Sequence, residues 1–126
     1  MSENRFYICE KCGNIIGLIN DAGVPLMCCG KTMKHLKPEN DEISGEKHIP
    51  SVKISGDKVS VSVGTASHPM TDEHGINWVY LETDRGGQRK CLKGEQVPEV
   101  AFSILEEKPV AVYAYCNKHG LWRTQL

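Results

Sequence analysis

The sequence predicts an all-β sandwich preceded by a small cysteine-rich module. Three observations lead there. From residue 51 onward, apolar and polar residues alternate in short runs separated by glycine- or proline-containing turns, the pattern of strands with one buried face. About seven such runs occur, and no stretch shows a convincing long helical period, which favours two packed sheets. Ahead of them, four of the six cysteines fall within residues 9–29. A segment that short buries too little apolar surface to fold alone and needs a metal or a partner chain.

Composition sets the outer limits. A chain of 126 residues suits one ordinary domain, or a small one with an appended module. Hydrophobic content of 40% and charged content of 25% are those of a soluble globular protein. The net charge of −1 gives no global attraction to nucleic acid or an anionic membrane. No apolar run reaches the length of a membrane helix, and Met1-Ser2-Glu3-Asn4-Arg5 opens no signal peptide. The expected location is therefore the cytoplasm, where thiols stay reduced and six cysteines point to metal or redox chemistry before disulfides.

The first segment, about Phe6 to Met33, contains Cys9-Glu10-Lys11-Cys12-Gly13 and, after an apolar stretch and a Gly-Val-Pro turn, Cys28-Cys29-Gly30. The glycine after each group lets the backbone turn and aim its amides at sulfur. Zinc is the default ion for four cysteines. A reactive Cys-x-x-Cys pair with two incidental thiols is the alternative. Zinc ribbons pair two Cys-x-x-Cys knuckles, however, whereas Cys28 and Cys29 are adjacent and should distort a tetrahedron. In that respect Cys9, Cys12, Cys28 and Cys29 resemble the desulforedoxin module, which implies a rubredoxin-like Fe(Cys)4 electron-transfer site.

A polar stretch follows, Lys37-Pro38-Glu39-Asn40-Asp41-Glu42 and then Ser44-Gly45. It marks a linker over 37–45 between a module at 1–36 and a sandwich at 46–126. His35, at its start, reads as a solvated side chain.

The strands come in order. Val52 and Ile54 alternate with polar neighbours, Gly56-Asp57 turns, and Val59, Val61 and Val63 alternate with serines, which makes a hairpin. Ile76 to Leu81 reads as a strand of large residues, and Asp84-Arg85-Gly86-Gly87 as the turn into Gln88 to Leu92. Val100, Phe102 and Ile104 alternate next, and Glu107-Lys108-Pro109 leads into Val110 to Tyr115. Trp78 and Trp122 read as core or rim packing, and Cys91 as a buried hydrophobe in a short strand, with a surface thiol as the alternative.

Period two puts Val110, Val112, Ala114 and Cys116 on one face, so the Cys116 sulfur should point inward. His119 follows past a short turn that Gly120 helps to close. His68 precedes Pro69, which biases it to an extended backbone. His74 precedes Gly75, and the loop between the two histidines is wide enough to offer both rings to one ion. His48 opens the sandwich just before Ile49-Pro50. These four histidines lie at strand ends or in loops, where sites concentrate. Four imidazoles and a thiolate exceed the four ligands of a structural zinc site and suit a redox-capable transition metal. Taken singly, a buried cysteine beside a surface histidine is unremarkable, and Glu46-Lys47 is an ordinary solvated charge pair.

Together these stretches are more specific. Glu46-Lys47-His48-Ile49-Pro50, Ser67-His68-Pro69-Met70, Glu73-His74-Gly75-Ile76 and Cys116-Asn117-Lys118-His119-Gly120 are similar to the desulfoferrodoxin family of superoxide reductases, and the N-terminal cysteines to its two-iron class. The resemblance covers nearly the whole chain. It implies an immunoglobulin-like seven-stranded sandwich behind a rubredoxin/desulforedoxin-like knuckle domain, and two iron ions per chain. One would be Fe(Cys)4. The other would be Fe(His)4(Cys), with His48, His68, His74 and His119 equatorial and Cys116 axial. Glu46 would bind the ferric ion at rest, while Lys47 would attract superoxide and assist proton delivery. Rubredoxin or a similar small carrier would resupply electrons to a homodimer. Two other readings stay open on the residues alone: a pure electron relay, and a structural zinc protein with a β-sandwich interaction surface.

Overall fold

The protein is described by a computed structural model covering residues 6–39, 48–64, 70–71, 74–92 and 97–126. The chain divides into two compact units, Met1–Lys37 and Pro38–Leu126. Among the described residues no helix forms, and so none is long and apolar enough to cross a membrane.

In the first unit, strands β1 (Phe6–Ile8), β2 (Ile15–Gly17) and β5 (Lys34–His35) make an antiparallel sheet of order β2-β1-β5. A separate hairpin pairs β3 (Met27–Cys28) with β4 (Lys31–Thr32). Its described buried hydrophobic residues are Cys9 and Met33, whereas Ile19, Val24 and Met27 are exposed. So small a core leaves the unit dependent on a cross-link, and its cysteines supply the atoms for one.

The second unit holds seven strands: β6 (Pro50–Ser55), β7 (Lys58–Val63), β8 (Ile76–Thr83), β9 (Gly86–Cys91), β10 (Glu99–Ser103), β11 (Pro109–Cys116) and β12 (Gly120–Gln125). They form one sheet of order β10-β7-β6 and another of order β12-β11-β8-β9. The fourth strand, β9, pairs with the third, β8, whereas in the constant-type immunoglobulin arrangement the fourth strand joins the first sheet.

Alternation builds the core. Val59, Val61 and Val63 of β7 and Phe102 of β10 face Val79 and Leu81 of β8 and Val112, Ala114 and Cys116 of β11. Val59, Val79, Leu81 and Val112 are completely buried, each worth about 1.5–3 kcal/mol of transfer free energy, and the smaller Ala114 is buried as fully. The β6–β7 turn is closed by Gly56 at φ 60°, a conformation glycine adopts without strain.

Side chains close the gaps between the sheets. Gln88 Nε2 donates to the Ser103 carbonyl at 2.7 Å, and Lys90 donates to the Ala101 carbonyl while lying over the Phe102 ring. Exposed edge carbonyls of β10 thereby find partners in β9. The expectation that Cys91 is buried is wrong: it is exposed at the end of edge strand β9. Period two puts it on the face of Arg89, and its sulfur lies 2.6 Å from Arg89 Nη1, away from the core.

Candidate metal centres

The first cluster is assembled by two turns. Cys9 follows β1, and its backbone N–H donates to the Asn14 carbonyl at 2.8 Å while its carbonyl accepts from Gly13 N–H at 2.8 Å. This tight loop brings the Cys12 N–H to 3.5 Å from the Cys9 sulfur. The second turn joins β3 to β4 through Cys29 and Gly30, at φ 54° and 73°. Both central residues at positive φ is what a type I′ hairpin turn requires, and the usual first residue there is asparagine, aspartate or glycine. Cys29 in that conformation stores about 1–3 kcal/mol of backbone strain. The left-handed residue is how adjacent cysteines come to face one point, so the backbone absorbs much of what their adjacency demands.

Cys9, Cys12, Cys28 and Cys29 bring their sulfurs within 4.8 Å of one another. Cys12 Sγ and Cys28 Sγ stand 3.6 Å apart. A tetrahedral ion with bonds of about 2.3 Å spaces its sulfurs by roughly 3.8 Å, so the donor set fits one. The amide of Cys12, followed by that of Lys11, lowers the Cys9 thiol from 9.0 to about 6 against the opposing effect of burial. Hydrogen bonding with Cys12 and then Cys9 pushes Cys28 up, and the same two neighbours push Cys29 up to about 12. One thiolate, that of Cys9, is therefore favoured, while Cys28 and Cys29 keep their protons until a cation displaces them.

The second cluster lies at one end of the sandwich. Cys116 ends β11, fully buried in the row begun by Val112 and Ala114, as its alternation predicts. The chain then turns through residues 117–119 and re-enters β12 at Gly120, whose φ of 85° suits glycine. His119 sits on that turn with Nδ1 3.6 Å from Cys116 Sγ. His48, buried just before β6, places Nε2 3.0 Å from His119 Nδ1, and His74 places its Nε2 3.2 Å from the same atom.

The loop carrying His74 is pinned locally. Thr71 and His74 bond through their backbones and through the Thr71 hydroxyl, and Gly75 exchanges two hydrogen bonds with Asn117, N–H to Oδ1 at 3.0 Å and carbonyl to N–H at 3.2 Å. Asn117, between Cys116 and His119, thus ties one ligand loop to the other. Sequence reading passed over Asn117, Thr71 and Gly75, although the place of Asn117 between two ligands was a visible signal.

His48, His74, Cys116 and His119 bring their donor atoms within 4.8 Å of one another. Two imidazole nitrogens and a sulfur converge on His119 Nδ1, which has one lone pair or one proton and satisfies one of them. A shared cation satisfies all four. Nitrogens bound at about 2.1 Å stand roughly 3.0 Å apart at right angles and 3.4 Å apart in a tetrahedron. The 3.0 Å spacing matches the first arrangement and 3.2 Å falls between. Cys116 and His48 are buried, His74 half-buried and His119 exposed, so the sulfur closes the core side and solvent reaches the opposite one. His68, Glu46 and Lys47 lie outside the described residues.

Comparison with known proteins covers both units. The family model described as Desulfoferrodoxin matches residues 40–125, and that of the Desulfoferrodoxin N-terminal domain matches residues 2–36. A desulfoferrodoxin homolog of Archaeoglobus fulgidus is 37% identical over 120 residues, covering 95% of each chain. A desulfoferrodoxin of Nitratidesulfovibrio vulgaris is 36% identical over 124 residues, 98% of each. The crystal structure of the superoxide reductase from Treponema pallidum is 34% identical, covers 98% of each chain and superposes with a TM-score of 0.81.

Proposed function

The chain belongs to the desulfoferrodoxin family, and from that premise we propose that it is a superoxide reductase carrying two iron ions, one per cluster. The reaction is O2•− + e− + 2H+ → H2O2. The observation that supports it most is the convergence of two imidazoles and a buried cysteine on His119 Nδ1 at a solvent-facing end of the sandwich. An iron ion held there would supply one electron at a time to a small anion arriving from the solvent side. We propose Cys9, Cys12, Cys28 and Cys29 as ligands of the first ion, within a module at 1–36. His48, His68, His74, His119 and Cys116 are the proposed ligands of the second, within a domain at 46–126.

The rest is the work of this chain. Neutral imidazoles and a single thiolate leave a divalent ion with net positive charge, so the anionic substrate is attracted although the whole chain carries −1. Burial of Cys116 keeps its sulfur on the core side and leaves the solvent side for the substrate. Lys47, adjacent to His48, adds a local positive field and a proton source for the two protons consumed. Glu46, adjacent to Lys47 in sequence, would be the carboxylate that binds the ion in its oxidised state. The first centre relays electrons and is accessory to turnover. The donor is rubredoxin or a similar small carrier, the working unit a homodimer and the location the cytoplasm.

Elemental analysis of anaerobically purified protein tests this reading. Close to two irons per chain and little zinc is expected; zinc in place of iron would overturn it.

A further inference from the structure

Trp122 of β12, which sequence reading assigned only to packing, stands where two ligands of the second centre meet. Its indole lies nearly parallel to the His48 ring, with centroids 4.9 Å apart and planes 16° from coincidence. Its Nε1–H donates to the His119 carbonyl at 3.1 Å. One side chain thereby touches the ring of one ligand and the backbone of another, and those two ligands bring their nitrogens within 3.0 Å. Trp122 is 5% exposed and His48 6%, so the contact is made out of water.

The tryptophan is itself held firmly. Its backbone pairs with Ala114 of β11 on one side and with Glu39 on the other. Glu39 N–H donates to the Leu121 carbonyl at 2.8 Å and Arg123 N–H to the Glu39 carbonyl at 3.0 Å. Packed on this rigid strand, the indole is a fixed plane. A histidine's outer torsion is broad and two-fold, so the ring plane of a ligand has to be set by its surroundings. Metal-ligating imidazoles are commonly oriented by a neighbour whose loss weakens metal binding. A parallel indole against His48 limits rotation of the imidazole, and the hydrogen bond to the His119 carbonyl holds the turn that carries the second ring.

We propose that Trp122 is a positioning residue of the second centre, which holds the His48 ring plane and the His119 turn together so that both nitrogens reach one ion. The inference rests on the reading of that cluster as a metal centre. It is independent of which substrate the centre reduces.

The test is iron release to a strong chelator from the full-length, iron-loaded chain, with the thiolate-to-iron charge-transfer band of the second centre recorded alongside. Trp122→Leu removes both the aromatic face and the N–H. It should speed loss of the second iron by about 10–100-fold and shift the band, with the first iron lost at the wild-type rate as an internal control. Trp122→Phe keeps a smaller aromatic face and drops the N–H, so it should restore most of the retention, with release several-fold faster than wild type but within about tenfold of it. Wild-type release and an unchanged band in Trp122→Leu would overturn the proposal. If Trp122→Leu fails to fold, Trp122→Phe decides: second-iron release several-fold faster than wild type with a shifted band supports the role, and release at the wild-type rate with an unchanged band overturns it. A wild-type chain holding iron only at the first centre would overturn the metal-centre reading itself, and this inference with it.

Discussion

Substituting Gly75 by alanine is the sharpest test of how the His74 loop is held. Gly75 is buried between His74 and the first residue of β8, and it exchanges two hydrogen bonds with Asn117. A Cβ there would stand 2.9 Å from the Thr71 carbonyl oxygen, 3.4 Å from the Thr71 nitrogen and 3.5 Å from Met70 Cα. All three are backbone atoms, so no change of rotamer relieves the contact. The Thr71 turn that would have to give way is the one bonded to His74. Overpacking of this kind costs about 1–3 kcal/mol. For a domain of this size that corresponds to a fall in Tm of roughly 5–20 °C. Thermal unfolding followed by circular dichroism, with iron counted before and after a chelator challenge, measures both effects. Gly75→Ala should lose stability in that range and release the second iron faster while keeping the first. Stability within about 0.5 kcal/mol of wild type and normal iron retention would refute the argument.

Other perturbations separate the two centres and the electrostatics. Cys12→Ser should empty the first centre and leave the second still reducing superoxide; loss of all activity with the second iron in place would make the first centre essential. Lys47→Ala should slow the bimolecular reaction with superoxide and flatten its dependence on ionic strength, whereas an unchanged rate at low salt would remove Lys47 from the mechanism. Burial, then the charge of Glu82 and its hydrogen bond at 3.0 Å, push the Tyr113 hydroxyl from 10.0 up to about 12. Because the folded value is the higher one, this contribution to stability is complete below pH 10 and is lost as pH rises from 10 to 12. Urea midpoints should therefore fall more steeply over that window in wild type than in Tyr113→Phe, and equal slopes would contradict the assignment.

Local rules carried a sequence reader far into this molecule. Alternation from Val110 to Cys116 places the sulfur in the core, where it is found, and the valines of β7 define the facing sheet. The two cysteine groups, each followed by glycine, do form turns with their sulfurs together. Cys91 was misread because burial in an edge strand depends on which face the sheet covers, although Arg89 two residues earlier marked that face as solvated. Trp122 looked like packing because its partner His48 is remote in sequence and only the closed sandwich brings them together. Asn117 stood between two candidate ligands in the sequence, but its partner Gly75 is remote along the chain, so its tie between the two loops was not legible. The left-handed Cys29 is a backbone fact with no residue signature beyond the glycine that follows it.

Product stoichiometry tests the central claim most directly. Fully reduced protein mixed anaerobically with a limiting pulse of superoxide should yield one hydrogen peroxide for each superoxide consumed, with no dioxygen evolved. Half that peroxide, accompanied by an equal amount of dioxygen, would mean that superoxide is being disproportionated and would contradict reduction as the reaction.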